Sequence, residues 1–318
     1  MSKRPAIALL IKSIPWLFYS LLIIFLILYL RSIDYSKLAN LSIAWECVLI
    51  ATIFALAVRS WGAYIWVVLL RSLGAVNVRL SRTLIYIYAK SWLGRYIPGT
   101  APWILGKIYF ASKQGISKNK LAVSSLLEGA LQIIVQFLFA LALLAFDPRL
   151  DVISNEIKLI ILLAIIGCVV ALIPQVFNRL IAKAYKLIKK KDFSREHYAS
   201  GKTIGKGFLL YTVGALLSSL SLFFIAKAVY PELGYDQLLF VMGVGTLSGA
   251  VSMIAIFAPS GLGVREGIQL ALLSIIIPTE YALIIVIITR IWSVAVDFLF
   301  YSLALASRPK YTQPTKSK

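Results

Sequence analysis

Long apolar windows recur along the chain, at Ile14–Leu30, Val48–Leu70, Leu121–Phe146, Leu159–Pro174, Phe208–Val229, Leu238–Ala258 and Leu283–Ala306. Most approach or exceed the roughly 20 residues a helix needs to cross a hydrocarbon core. Lipid offers the backbone no hydrogen-bond partners, so windows of this kind are helices or strands of a closed barrel. Alternation with a period of two is absent. The pattern therefore predicts an all-α, polytopic integral membrane protein.

Two apolar stretches do not read as simple spans. Between Val76 and Gly115 the chain carries Lys90, Arg95 and Lys107 and breaks at Pro98-Gly99-Thr100-Ala101-Pro102. Between Gln237 and Ile277 a second stretch breaks at Pro259-Ser260-Gly261-Leu262-Gly263. The arm after each break, Trp103–Gly115 or Val264–Ile277, covers only about half a bilayer core as a helix. An offset of 161 positions superposes the two regions, setting Pro98 on Pro259, Gly106 on Gly267, Ile116 on Ile277, Phe137 on Phe298 and Phe139 on Phe300. More telling is the common order of span, long arm, proline break, short arm and span.

The expected organisation is an anchor helix and first external loop over 1–43 and a first repeat unit over 44–146. An extra helix and a basic loop follow over 147–204, then a second unit over 205–307 and a cytoplasmic tail over 308–318. That amounts to about six spanning helices plus two re-entrant hairpins, with eight ordinary proline-kinked spans as the alternative.

Charge orients this plan. The chain has 318 residues and a formal net charge of +20. Its cations gather at the N-terminus (Lys3, Arg4, Lys12), at Arg71–Arg82, Lys113–Lys120 and Arg179–Lys206, and in the tail. Asp147, Asp151, Glu156, Glu232, Asp236 and Glu280 occupy the complementary connections. Basic loops stay on the cytoplasmic side, so both termini are expected there, in a cell (inner) membrane. The first hairpin then opens toward the cytoplasm and the second away from it, which makes the repeat an inverted one, a known transporter plan. This distribution accounts for the charge better than nucleic acid would, and the amphipathic stretch Arg179–Lys206 is expected to lie on anionic headgroups. No small-residue cleavage site follows Leu30, so the first window reads as an uncleaved anchor. Cys47 and Cys168 read as packing residues, and neither a metal site nor a cofactor is expected.

Helix starts near the membrane centre expose unpaired N–H groups and a positive dipole end. Each hairpin is expected to supply one, with Gly99, Gly261 and Gly263 allowing close approach of a ligand to the backbone. Arg95 precedes the first break and Arg265 opens the second short arm. Together with Pro98, Lys107, Pro259 and Glu266 they outline an anion site suited to a lipid phosphate or diphosphate; the structural alternative pairs Arg265 with Glu266. Intramembrane charge is costly and usually purposeful, which adds Arg59, Glu128, Arg290 and Asp297. The 161 offset sets Glu128 beside Arg290, so an ion pair between them is expected. Ion pairs that merely fix helix packing are the alternative for these four.

Leu93-Gly94-Arg95-Tyr96-Ile97-Pro98-Gly99, with Gly106-Lys107 and Gly115-Ile116-Ser117 after it, resembles the first motif of the lysylphosphatidylglycerol synthase transmembrane-domain family. Ala258-Pro259-Ser260-Gly261-Leu262-Gly263-Val264-Arg265-Glu266-Gly267 resembles its second, more specific motif. The resemblance runs from the first helix to about Ala306 and implies a flippase-like domain that moves a lipid between leaflets. The aminoacyl transferase fused to this domain in the best-known members is not expected here. Thr100-Ala101-Pro102-Trp103 stands where the aminoacyl-lipid members carry an acidic residue, which points toward polyprenyl-phosphate-linked sugars in cell-envelope assembly.

Two other functions suit the same sequence. One is a lipid-linked glycosyltransferase, for which Asp34 and Glu46 are the first-loop carboxylates. The other is a non-catalytic subunit of a glycan or lipid synthase complex. No Asp-x-Asp, His-Glu-x-x-His, Walker or Gly-x-Ser-x-Gly motif is present, so a transporter is expected rather than an enzyme. Membrane lipids are its expected partners, with synthesis enzymes or a second copy of the chain as further ones.

Overall fold

The computed structural model describes residues 42–75, 78–97, 101–147, 154–190, 192–255 and 261–307. Every regular element in them is helical. The anchor window, Asp34, Pro98, Gly99, Pro259 and the tail from 308 lie outside the described residues.

Ten α-helices follow in order: α1 (Trp45–Ser72), α2 (Arg82–Trp92), α3 (Ala101–Ser112), α4 (Lys118–Ala145), α5 (Asn155–Ala171), α6 (Pro174–Lys189), α7 (Gly201–Val229), α8 (Leu238–Ile254), α9 (Val264–Leu273) and α10 (Thr279–Ala306). A 3₁₀ turn over Leu93–Tyr96 extends α2, and another over Tyr235–Gln237 leads into α8.

Local chemistry marks several boundaries. Ser81 and Ser200 accept hydrogen bonds from Leu84 N–H and Thr203 N–H, capping α2 and α7. Pro174 opens α6, and Lys190, in the left-handed region at φ 53°, closes it.

Helices α1, α4, α7 and α10 are each long and apolar enough to cross a membrane, as is Tyr235–Ile254, the segment holding α8. Helices α5 and α6 pass the same test together but bend by 85° at their junction. Helix α5 buries none of its residues, as suits a helix whose surroundings are lipid. Helix α6 turns away from it and carries the basic stretch foreseen in the sequence. It is tied to the start of α7 by Asn178, whose amide donates to Ala199 O at 2.9 Å and accepts from Ala199 N–H at 2.8 Å.

The two units repeat one element order, α1–α4 and α7–α10, and the 161 offset carries Lys118–Ala145 onto Thr279–Ala306 end for end. The packing repeats too. Helix α4 lies against α8 as α10 lies against α2; α1 meets α10 as α7 meets α4, and each short arm lies on the span that follows it. Helices α1 and α7 form the central seam. Ala44 N–H donates to Ala228 O at 2.9 Å, Ser221 Oγ to Ala51 O at 3.1 Å and Trp61 Nε1 to Leu210 O at 2.8 Å. One number climbs as the other falls, so these corresponding helices run antiparallel.

In lipid, helices gain little from apolar burial as such and associate through close packing and polar contacts. The seam fits this account. Helix α1 buries Ala51, Ala55 and Ala63, and α7 buries Ala215 and Ser219, small residues that let backbones approach. Larger side chains fill the flanks. Trp66, Leu70, Tyr88 and Phe300 pack around α2, and Phe223, Val244, Leu273 and Ile285 around α8.

Candidate functional site

The charges retained within the apolar helices converge on two places. Arg59 lies midway along α1, where every neighbouring position is apolar or small. Its Nε donates to Asp297 Oδ1 at 2.8 Å, and its Nη2 approaches Ser293 Oγ at 3.4 Å. Helices α1 and α10 run parallel here, as Trp292 Nε1 donating to Thr52 Oγ1 at 3.0 Å also requires. Tyr96, in the turn that ends the first long arm, donates to Asp297 Oδ2 at 2.6 Å. Arg95 Nη1 stands 3.9 Å from the same oxygen, with its guanidinium 4.5 Å from the centre of the Trp92 ring. The Asp297 side chain is wholly buried. A carboxylate so placed requires partners, and two elements supply them, α1 through Arg59 and the 3₁₀ turn through Tyr96 and Arg95.

The second break is held by Glu266. One of its oxygens accepts from Gly263 N–H at 2.7 Å, capping α9, while the other accepts from Arg290 at 3.2 Å. Gly261 and Gly263 sit at φ 67° and 84°, a region that L side chains rarely adopt. Gly261 is also crowded, since a Cβ there would stand 2.3 Å from Ser252 Cβ on α8. The break is thus folded back onto its own long arm.

Arg265, one residue before Glu266, does not pair with it. Its Nε is buried and has no hydrogen-bond partner among the described residues, and the same holds for Trp92 Nε1. Arg265 is within electrostatic reach of Glu266 and, beyond it, of Arg95, Arg59 and Arg290. Four guanidiniums therefore share this region with two carboxylates, Asp297 and Glu266. The surplus is positive, and two buried donors stand without acceptors.

Lys107 and Glu128 form the second constellation, joined to the first by the Trp92 ring, which packs on Tyr88 and Trp103 at 5.9 Å each. They make a fully buried ion pair between α3 and α4. The ammonium lies 4.0 Å from the centre of the Trp103 ring, with Tyr88 and Trp66 at 5.6 and 5.7 Å. An ammonium enclosed by aromatic faces and a carboxylate is fully satisfied, so this pair reads as a fastener.

The expected Glu128–Arg290 pair is not formed. Glu128 is engaged by Lys107 from the arm just before its helix, and Arg290 by Glu266 from the arm just before its own. The offset sets Glu128 on Thr289, next to Arg290, but each span turns its charge toward the short helix that precedes it. The two fasteners have opposite polarity, with the cation on the arm in the first unit and on the span in the second.

Arg59 and Asp297 stand out in the sequence as charges, whereas Trp92 and Ser293 carry nothing that marks them and Tyr96 shows only as part of the first motif. Tyr96 was within reach of the argument, because it sits in the Gly94-Arg95-Tyr96 run just before a break.

Compared with known proteins, residues 7–300 match the model of the family described as Lysylphosphatidylglycerol synthase TM region. No curated protein and no solved structure matches the chain.

Proposed function

The chain belongs to the lysylphosphatidylglycerol synthase TM-region family, and on that premise we propose that this multi-pass membrane protein is a lipid translocase. Its cargo is an anionic or polyprenyl-phosphate-linked lipid of cell-envelope assembly, whose headgroup crosses between two re-entrant hairpins while its tail stays in lipid.

One observation carries this reading: Arg265 holds a buried donor without an acceptor, among an excess of arginine within the apolar helices. Buried donors are almost always satisfied in folded proteins, and uncompensated charge within a membrane is costly. A phosphate brings both the missing acceptors and the missing negative charge, and arginine binds it through two parallel N–H groups. The break at Gly261–Gly263, which starts α9 among these side chains, adds backbone N–H groups and the positive end of a helix.

The antiparallel seam and reciprocal packing support an inverted arrangement of units 44–146 and 205–307, which in transporters brings the site alternately to each face. The distribution of Lys and Arg supports a reading with both termini in the cytoplasm, in a cell (inner) membrane.

The test is reconstitution into vesicles holding a headgroup-labelled fluorescent phospholipid or polyprenyl phosphate, with exposure of the label followed by a membrane-impermeant quencher. Wild-type protein is expected to expose the inner pool, and Arg265→Gln at equal protein level to lose at least about tenfold in rate, as befits loss of a charged hydrogen bond. Equal rates for Arg265→Gln and wild type would remove the cluster from the mechanism.

A further inference from the structure

A second cationic site lies at one end of the seam, away from the central cluster. The C-terminal end of α1, the connection that follows it and the first turn of α7 enclose an open cavity of about 570 Å³. Arg71, Arg79, Lys202 and Lys206 line it, and no carboxylate does. None of the four side chains makes an ion pair or hydrogen bond among the described residues. Val67, Val68 and Leu80 form the apolar part of the wall.

The cavity joins residues from the two ends of the antiparallel seam helices, and its charges are not repeated in the sequence. The 161 offset replaces Arg71 by Glu232 and Arg79 by Phe240, and in the other direction Lys202 by Leu41 and Lys206 by Trp45. The backbone plan is repeated, but the charge is not.

We propose that this cavity binds the phosphate headgroup of an anionic lipid from the leaflet it faces, which the charge bias assigns to the cytoplasmic side. Four unpartnered cations arranged around one space repel one another until an anion enters. The N-terminal end of α7 adds the positive pole of a long helix, its cap already formed by Ser200. A free phosphate satisfies the charges equally well, but the exposed Leu80 and half-buried Val68 set apolar surface beside the cations, where the acyl chains of a lipid would find contact. The site is separate from the central cluster, and its existence does not depend on transport.

The test uses the purified full chain in a non-ionic detergent, with thermal unfolding followed during titration with dioctanoyl phosphatidylglycerol, dioctanoyl phosphatidylcholine or inorganic phosphate. Phosphatidylglycerol alone is expected to raise the midpoint, saturably. At about fivefold per charge, R71Q/R79Q and K202Q/K206Q should each weaken its binding by about 25-fold. All four side chains are exposed, so these variants should fold, and R71K/R79K should recover binding to within about threefold. Equal effects of the two lipids, unchanged binding by both neutralised pairs, or equal protection by inorganic phosphate would each overturn the proposal. R265Q separates the two sites. It should leave phosphatidylglycerol binding intact, and loss of binding in that variant would assign the lipid to the central cluster instead.

Discussion

The phenol of Tyr96 donates a 2.6 Å hydrogen bond to Asp297, 201 positions further along the chain. It links the end of the first long arm to the last spanning helix, and Arg59 of the central seam holds the other oxygen of the same carboxylate. The two halves of the protein thus meet on one buried acid. Asp297→Asn should cost about 3 kcal/mol, because it leaves the Arg59 guanidinium in the apolar interior without its counter-charge. Tyr96→Phe should cost about 2 kcal/mol, the usual worth of a hydrogen bond to a charged group. Denaturant unfolding in detergent micelles checks both, and equal stability of Asp297→Asn and wild type would contradict the assignment.

Lys107 and Glu128 should behave as a unit. Lys107→Met alone strands a carboxylate, and Glu128→Met alone strands an ammonium, each at about 3–5 kcal/mol. The double substitution removes both charges and fills the space with side chains of similar volume, so it should recover most of the loss. A double-mutant cycle measures the coupling. Strict additivity of the two losses would mean that the pair is not formed in solution.

Gly261 is constrained twice, by its φ of 67° and by the 2.3 Å approach of a new Cβ to Ser252. Gly261→Ala should destabilise by about 3 kcal/mol, the left-handed backbone accounting for roughly 1–2 of this and the clash for the rest. Adding Ser252→Gly removes the clash and leaves the backbone term, so the double variant should lie between Gly261→Ala and wild type. Gly261→Ala stability equal to wild type would show that the break is not bent in this way.

The antiparallel seam has a consequence for side-specific labelling. Ser72 at the end of α1 and Glu232 just after α7 should lie on opposite faces of the membrane. In a Cys47→Ala/Cys168→Ala background, an impermeant thiol reagent applied to intact cells should modify Glu232→Cys, and should modify Ser72→Cys only after permeabilisation. Modification of both from the same side would exclude the inverted arrangement.

The helical class and most of the membrane-spanning helices could be read from the sequence because each leaves a one-dimensional trace. Apolar length announces a span, and Pro98-Gly99 and Gly261-Leu262-Gly263 announce interruptions whatever surrounds them. Partnership leaves no such trace. Glu128 stands 21 positions from Lys107 and Asp297 stands 238 from Arg59, and only the folding back of each arm decides which charges meet. The offset placed Glu128 next to Arg290 in register but could not tell that the two helices face different arms. The cavity at the end of the seam was hidden for the same reason. Arg71–Arg82 and Arg179–Lys206 were visible as two basic runs, each a topology signal, and the antiparallel seam brings their ends around one space.

The two hydrogen bonds between Asn178 and Ala199 also have a mechanical meaning. They pin a helix set at 85° to its predecessor to the foot of α7, and α7 is half of the central seam. A lever fixed near its fulcrum turns a small displacement of its arm into torque. A displacement of α6 therefore has a rigid path into the helix pair around which the two halves are arranged.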